Sequence, residues 1–149
     1  MLFLNHGNDP FFIIAILEEL SISDTPCFQD FGAELAGLPG KYALPRGRLA
    51  VARVDGEPAG CIALRPVDAS RCEFKRLYVR PAFRSHRLGK ALLEWLIGEA
   101  RSAGYREMVC DTMPVMEQAL AMYERMGFER TGPYVPDATE GAIYLRLKL

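Results

Sequence analysis

The spacing of apolar positions changes several times along this chain, and each change predicts an element. Arg48–Val54 and Ala59–Leu64 are short apolar runs on either side of Asp55-Gly56-Glu57-Pro58, a pairing that predicts a β-hairpin. Cys72–Val79 reads as the next strand, and period-two alternation puts Glu73, Lys75, Leu77 and Val79 on one face. The spacing then becomes helical over Leu88–Ala103, with Leu88, Ala91, Leu92, Trp95 and Leu96 on one stripe and Gly104 after the end. Glu107–Asp111 predicts a strand and Pro114–Met126 a helix stopped by Gly127; Phe128–Thr131 and Ala142–Leu147 predict the last two strands. Upstream, Leu2–Leu4 suits a short first strand. Asp9-Pro10 offers a cap and a first-turn proline for a helix over Phe11–Leu20, Ser21–Pro26 breaks it, and Gln29–Leu38 predicts a second helix ended by Pro39-Gly40. Strands followed by helices and a closing strand pair give an α/β class with a mixed sheet.

Composition narrows the class without naming a function. A chain of 149 residues with no repeat, low-complexity tract or linker is expected to form one domain, residues 1–149, with a sizeable core. Apolar runs such as Phe11–Leu17 and Ala91–Gly98 are too short or too charged to span a membrane. The start, MLFLNHGNDP, lacks the basic residues and cleavage site of a signal peptide. Cys27, Cys61, Cys72 and Cys110 are far apart, the pattern of a reduced protein with buried thiols, so a cytoplasmic location is expected. Two histidines without ligand-like spacing argue against a metal, and a net charge of −1 argues against nucleic-acid binding.

Against that near-neutral background one segment stands out. Lys75, Arg76, Arg80, Arg84, Arg87 and Lys90 are six basic residues in a stretch that runs from strand to loop to helix start. Backbone N–H groups at a helix N-terminus, with Arg and Lys around them, suit a polyanion such as phosphate. On basic residues alone, a solvated loop is an equal reading.

Arg84-Ser85-His86-Arg87-Leu88-Gly89, after Leu77-Tyr78-Val79-Arg80-Pro81, resembles the acyl-CoA-binding signature of the GNAT superfamily of N-acetyltransferases. Arg87 stands where that family usually has its first glycine. Downstream, Ala119–Phe128 is similar to the family's Ala-x-x-x-Tyr-x-x-x-Gly-Phe helix end, correctly ordered and spaced. The resemblance covers roughly Leu49 to Leu149 and implies a single-domain GNAT-like fold, with a mixed central sheet flanked by helices on both faces. It implies that the signature strand and the next one splay apart, with the cofactor's pantetheine arm in the gap. The cosubstrate would be acetyl-CoA, held by Leu77, Tyr78, Val79, Arg84, Ser85, His86, Arg87, Leu88, Gly89 and Lys90. Amides near Leu77–Val79 would polarise the thioester carbonyl. The loop amides of Arg84–Lys90 would hold the pyrophosphate; Arg87 would cost little there with its side chain outward, since its N–H is still available, and would fail if that position needs a positive φ, uncommon for a residue other than glycine.

Two side chains are candidates for the chemistry. An alkylammonium with a pKa near ~10.4 is no nucleophile at neutral pH until a base takes its proton. Glu73, eleven residues before Arg84, matches a strand position where some members of the family place a catalytic glutamate. Its structural alternative is an ion pair with Lys75 or with a cross-strand partner, and many such enzymes use a water chain as the base instead. Tyr123 matches the family position that faces the CoA sulfur and would protonate the leaving thiolate. Its alternative is a core aromatic, since it shares a stripe with Met116, Ala119 and Met126. Met116 replaces an asparagine common in the family. Cys72 and Cys110 read as core thiols, and His86 as a solvent-facing side chain.

The acceptor would be a small-molecule or peptide amine, and a homodimer is compatible with the resemblance. The family shapes its acceptor pocket from the first two helices and the following loop, here Phe11–Leu38 and Pro39–Arg46. Phe28, Phe31 and Tyr42 would line it or fill the core, and Glu18, Glu19, Asp30 and Glu34 would attract a cation or lie on solvated faces. The expected activity is direct N-acetylation; the rival readings are a non-catalytic acyl-CoA-binding domain and an interaction module with a degenerate loop.

Overall fold

A computed structural model describes residues 2–5, 33 and 36–149 of the chain. Among the described residues, seven strands form one sheet: β1 (Leu2–Asn5), β2 (Arg48–Val54), β3 (Glu57–Pro66), β4 (Arg71–Val79), β5 (Glu107–Thr112), β6 (Glu129–Thr131) and β7 (Ile143–Lys148). Their order is β1-β2-β3-β4-β5-β7-β6. Every neighbouring pair is antiparallel except β4–β5, which is parallel. A parallel neighbour needs a crossover, and α1 (Leu88–Ser102) supplies it. The second described helix, α2 (Glu117–Arg125), precedes β6. The predicted helix over Phe11–Leu20 lies outside the described residues, as does most of that over Gln29–Leu38, of which Ala33 and Ala36 are helical.

The β2–β3 hairpin follows from its turn. Asp55 and Gly56 both have positive φ (51° and 84°), as a two-residue primed turn requires, and Asp-Gly is a pair that accepts this. The predicted strands are all present within two residues at either end; β3 shows the full two at both, beginning at Glu57 inside the turn and ending at Pro66. α2 starts one turn later than predicted. Met116 has φ −88° and ψ 52°, off the helical region, and its N–H closes a separate turn onto the Met113 carbonyl.

Both described helices pack on one sheet face. The core there gathers Ile62 and Leu64 of β3, Cys72 and Phe74 of β4, Met108 and Cys110 of β5, Leu145 of β7, the Leu88–Leu92–Leu96 stripe of α1, and Tyr123 of α2. Leu93, Ile97 and Ala100 are buried too, so the buried face of α1 is wider than the predicted stripe. Arg48 ties the preceding loop to α1: its Nε lies 2.6 Å from Glu99 and its Nη1 donates to the Pro45 and Gly47 carbonyls.

The predicted alternation of β4 fails at one residue. Cys61 pairs with Tyr78 and Ala63 with Lys75, two steps on β3 against three on β4. The extra residue is a bulge at Arg76, whose φ is +60°. Before it, Cys72 and Phe74 face the helices while Glu73 and Lys75 face the other way. After it, Leu77 and Val79 pack against the helix-side core. Glu73 and Lys75 therefore do not share a face with Leu77 and Val79: one inserted residue inverts a period of two. Two β3 residues fit around the bulge. The Cys61 thiol donates to the Arg76 carbonyl at 3.1 Å, and a Cβ on Gly60 would lie 2.6 Å from the Tyr78 carbonyl oxygen.

Gly60→Ala should therefore destabilise the protein by about 1–3 kcal/mol, read as a lowered melting temperature. Gly98→Ala on α1, where a Cβ meets nothing within 4 Å, should instead stabilise by roughly 0.5–1 kcal/mol from helix propensity. A Gly60→Ala protein that melts like the parent would show that β3 and β4 can separate at no cost.

Candidate active site

β4 and β5 pair only through Arg71–Glu107, Cys72–Met108 and Glu73–Val109. Beyond these pairs β4 runs on to Val79 and β5 to Thr112 without pairing to each other. The strands thus splay, and β4 carries its bulge within the splayed part. Tyr78 turns its backbone groups to β3, where its carbonyl lies beside Gly60, so it is Leu77 and Val79 that face the β5 side, with no partner strand there.

The chain leaves β4 through a 3-10 turn, Pro81–His86, and enters α1 at Arg87. Arg87 is left-handed, with φ 54° and ψ 29°. The position does need a positive φ, and arginine meets it in the small region open to residues with a side chain. The first backbone bond of α1 runs from the Ala91 N–H to the Arg87 carbonyl. The amides of Leu88, Gly89 and Lys90 therefore have no acceptor within the helix. No side chain caps this end and no acidic residue lies in its first turn, so its positive field is unopposed locally. A Cβ on Gly89 would sit 3.7 Å from Val79 Cγ2 and 4.0 Å from Met122 Cε, so the helix start packs against the end of β4 and against α2.

The basic residues have divided roles. Arg84 Nε donates to the Val79 carbonyl (3.1 Å) and Arg80 Nη1 to the Pro58 carbonyl (3.0 Å), both holding the loop on the sheet. Lys90 makes an exposed pair with Glu94, one turn along. Ser85 Oγ lies 3.4 Å from His86 Nδ1, and both side chains are exposed. Lys75 belongs to a different group on the opposite face, so only part of the cluster surrounds the helix start.

That opposite-face group centres on Glu73, which is 1% exposed. Arg65 Nε donates to its Oε2 at 2.5 Å. Lys75 Nζ (2.9 Å) and the Tyr134 hydroxyl (2.7 Å) converge on Oε1. Lys75 also pairs with Asp111 at 2.8 Å. Burial disfavours the Lys75 charge, but Glu73 and Asp111 together outweigh it and hold its pKa above the ordinary lysine value. Burial, reinforced by the Glu73 charge, raises the Tyr134 pKa far above that of a free phenol, so Tyr134 stays a proton donor. Tyr134 packs edge-on against Tyr144, ring centres 5.5 Å apart, and the Tyr144 hydroxyl accepts from the Thr139 N–H. The loop between β6 and β7 is thereby strapped across β5 to reach β4. Both ion pairs weighed for Glu73, with Lys75 and with a cross-strand partner, are present.

Tyr123 lies on the other side of the sheet. It is 6% exposed, with its ring centre 5.3 Å from that of Phe74 in edge-on packing. Phe74 follows Glu73, so the two residues nominated for catalysis flank the start of the splay from opposite faces. They do not touch; the gap between β4 and β5 is what they share. Tyr42 is 1% exposed and fills the core, whereas Phe28, Phe31, Glu18, Glu19, Asp30 and Glu34 lie outside the described residues. Cys61, Cys72 and Cys110 are free and buried, and burial pushes the thiols of the first two up to about 12. Among the described residues no cluster of His, Cys, Asp and Glu could hold a metal, and no helix is long and apolar enough to cross a membrane.

Comparison with known proteins decides the family. The family model for the acetyltransferase (GNAT) family matches residues 13–128. The chain belongs to the GNAT family of acetyltransferases. An uncharacterized N-acetyltransferase of Schizosaccharomyces pombe is 38% identical over 124 residues, covering 82% of this chain and 76% of its own. An IAA acetyltransferase of Azospirillum brasilense is 35% identical over 95 residues, covering 63% of this chain and 62% of its own. In fold, this GNAT chain is similar to an acetyltransferase from Streptococcus agalactiae (TM-score 0.81, 21% identity, 99% and 98% of the two chains covered). A GNAT acetyltransferase from Elizabethkingia anophelis, solved with acetyl-CoA bound, superposes with a TM-score of 0.73 at 22% identity, covering 99% and 97%. The expected α/β class and mixed sheet are those of this GNAT fold. Sequence reasoning missed Arg65, Asp111 and Tyr134. Arg65 could have been found by pairing the strands in register; Tyr134 could not, because it lies in a patternless loop 61 residues from Glu73.

The geometry of Arg87 gives a stability test. Arg87→Gly should leave the melting temperature unchanged or raise it slightly, since the left-handed cost of about 1 kcal/mol is offset by glycine's chain entropy. Arg87→Val should melt lower, because a β-branched residue is an outlier in that conformation. Equal stability of the two variants would show that the loop relaxes out of the left-handed geometry.

Proposed function

We propose that this GNAT protein moves an acetyl group from acetyl-CoA directly to an amine, without an acyl-enzyme, and that residues 1–149 act as one cytoplasmic domain. The observation that carries the reading is the splay of β4 from β5 beside an uncapped helix N-terminus. The amides of Leu88, Gly89 and Lys90 are suited to the pyrophosphate, with Arg84, Ser85, His86 and Arg87 around them. A thioester in the splay would meet the amides of the Leu77–Val79 stretch that face away from β3, those of Leu77 and Val79, which can stabilise the oxyanion as the amine attacks. Relatives named N-acetyltransferases support an amine acceptor, and solved members of the fold with acetyl-CoA or CoA bound support the cosubstrate.

The two faces of the sheet would then divide the proton transfers. On the Tyr123 side the C–S bond breaks and the phenol protonates the departing thiolate. On the Glu73 side the amine loses its proton as the C–N bond forms. Glu73 is buried and saturated with donors, so its route to the amine is the Tyr134 hydroxyl, which already donates to Oε1. The phenol passes its proton to the carboxylate and takes one from the amine.

Acetyl-CoA should raise the melting temperature by mass action, and Gly89→Val should remove that rise, since its methyl groups would crowd the amides. A variant that still binds normally places the phosphates elsewhere. Tyr123→Phe and Tyr134→Phe remove one hydroxyl each, and each should lower kcat by about 10²-fold or more while leaving acetyl-CoA affinity nearly unchanged. A parental kcat in Tyr123→Phe, measured where chemistry limits the rate, leaves the thiolate to solvent. The same result in Tyr134→Phe removes the relay. Cofactor binding without turnover on a broad amine panel would favour a non-catalytic acyl-CoA-binding domain.

A further inference from the structure

Among the described residues, the face that carries Glu73 holds a guanidinium whose Nε is buried without a hydrogen-bond partner, that of Arg146. Arg146 of β7 is in register with Val109 of β5, and Val109 is in register with Glu73 of β4. Residues paired in this way point to the same side of a sheet. Tyr144, two residues before Arg146, packs on Tyr134, while Leu145 and Leu147 turn to the helix-side core. Arg146 therefore stands in the same row as Glu73. Two strand spacings separate them, about 10 Å between Cα atoms.

The charged groups next to Glu73 are paired. Arg65 is bound to Glu73, and Lys75 to both Glu73 and Asp111. Arg146 makes no hydrogen bond or ion pair among the described residues, and its Nε is buried without a partner. Glu129, its neighbour in register on β6, is exposed and forms no ion pair with it. A buried donor left unmade costs about 1–3 kcal/mol, and more when charged. A bound anion would recover that cost, and a planar guanidinium pairs best with a carboxylate or phosphate. The side chains of Lys75 and Asp111 keep 28% and 30% of their exposure, so the face can be reached.

We propose that Arg146 binds a carboxylate of the acceptor, so that the acceptor is an amino acid or a similar small amine with an acid group near its nitrogen. A carboxylate is favoured over phosphate because the neighbouring Glu73 and Asp111 would repel a second negative charge. The proposal rests on the reading of the β4–β5 splay as the transfer site. It adds that the amine lies toward Glu73 and Tyr134 while the carboxylate lies toward Arg146, with the Tyr134–Tyr144 pair alongside.

The test uses the full chain with free amino acids, their primary amides and the corresponding decarboxylated amines. Turnover is measured with acetyl-CoA, and binding to the CoA-loaded protein by calorimetry. The free acid should be preferred by at least 10-fold in kcat/KM. Arg146→Gln should abolish the preference and Arg146→Lys should keep part of it. Without ligand, neither variant should melt below the parent, and acetyl-CoA affinity in both should match it, which separates recognition from folding. Equal use of acid and amide by the parent, or a preference that survives Arg146→Gln, overturns the proposal and leaves acetyl transfer standing. Arg146-dependent binding of the acid without turnover supports the subsite and sinks the transfer reading instead. No binding and no turnover of any acid in the panel overturns the subsite.

Discussion

One extra residue in β4 sets the layout of the whole site. The bulge at Arg76 inverts the alternation, so the same strand buries Glu73 against the far face and Leu77 and Val79 against the helices. Without it, a single strand would carry both groups on one side, and the carboxylate would compete with leucine and valine for one environment. The bulge also bends the strand where pairing with β5 stops, which helps to open the splay. β3 supports this arrangement with a glycine where Tyr78 comes close and a thiol that satisfies the Arg76 carbonyl.

The two faces then take opposite electrostatic characters. The helix side is apolar around Phe74, Tyr123 and Phe128, and its polar resource is backbone: the open amides of the first turn of α1. That suits a ligand whose charge is on phosphate oxygens, because amides bind anions without bringing a counter-charge of their own. The far side is a network of ions in which each buried acid is held by donors from other strands and loops. Breaking one member would leave the others unpaired in a dry environment, so the network fixes geometry more than it adds stability. Its reach across β5, through Tyr134, ties the β6–β7 loop to the strand that opens the splay.

The division of the basic residues follows from the same layout. Lys75 precedes the bulge and joins the acids; Arg80 and Arg84 follow it and fasten the loop by bonding carbonyls of β3 and β4. Arg87 occupies a left-handed position that the family usually gives to glycine. Its φ of 54° and ψ of 29° fall in the small left-handed region that a residue with a side chain enters at a cost of about 1 kcal/mol. The departure therefore changes the loop's charge more than its shape.

The strands, α1, the hairpin turn and both family motifs were legible in the sequence, because each is set by local rules: apolar period, turn residues with positive φ, and the residues that start or stop a helix. The loop at Arg84–Lys90 and the position of Tyr123 were legible for the same reason. The facing of Leu77 and Val79 was not, because a bulge is chosen by the partner strand and leaves no mark on the alternation of its own. Nor was the late start of α2, where Met116 leaves the helical region and a separate turn precedes the helix. The company of Glu73 was only half legible. Lys75 is a neighbour in the strand, but Arg65, Asp111, Tyr134 and Arg146 come from β3, β5, a loop and β7, and only sheet order and register put them on one face. Local chemistry determined which elements form and where a helix start is left uncapped; long-range pairing decided which charges meet, because a charge buried on a sheet face is matched by whatever strand the topology lays beside it.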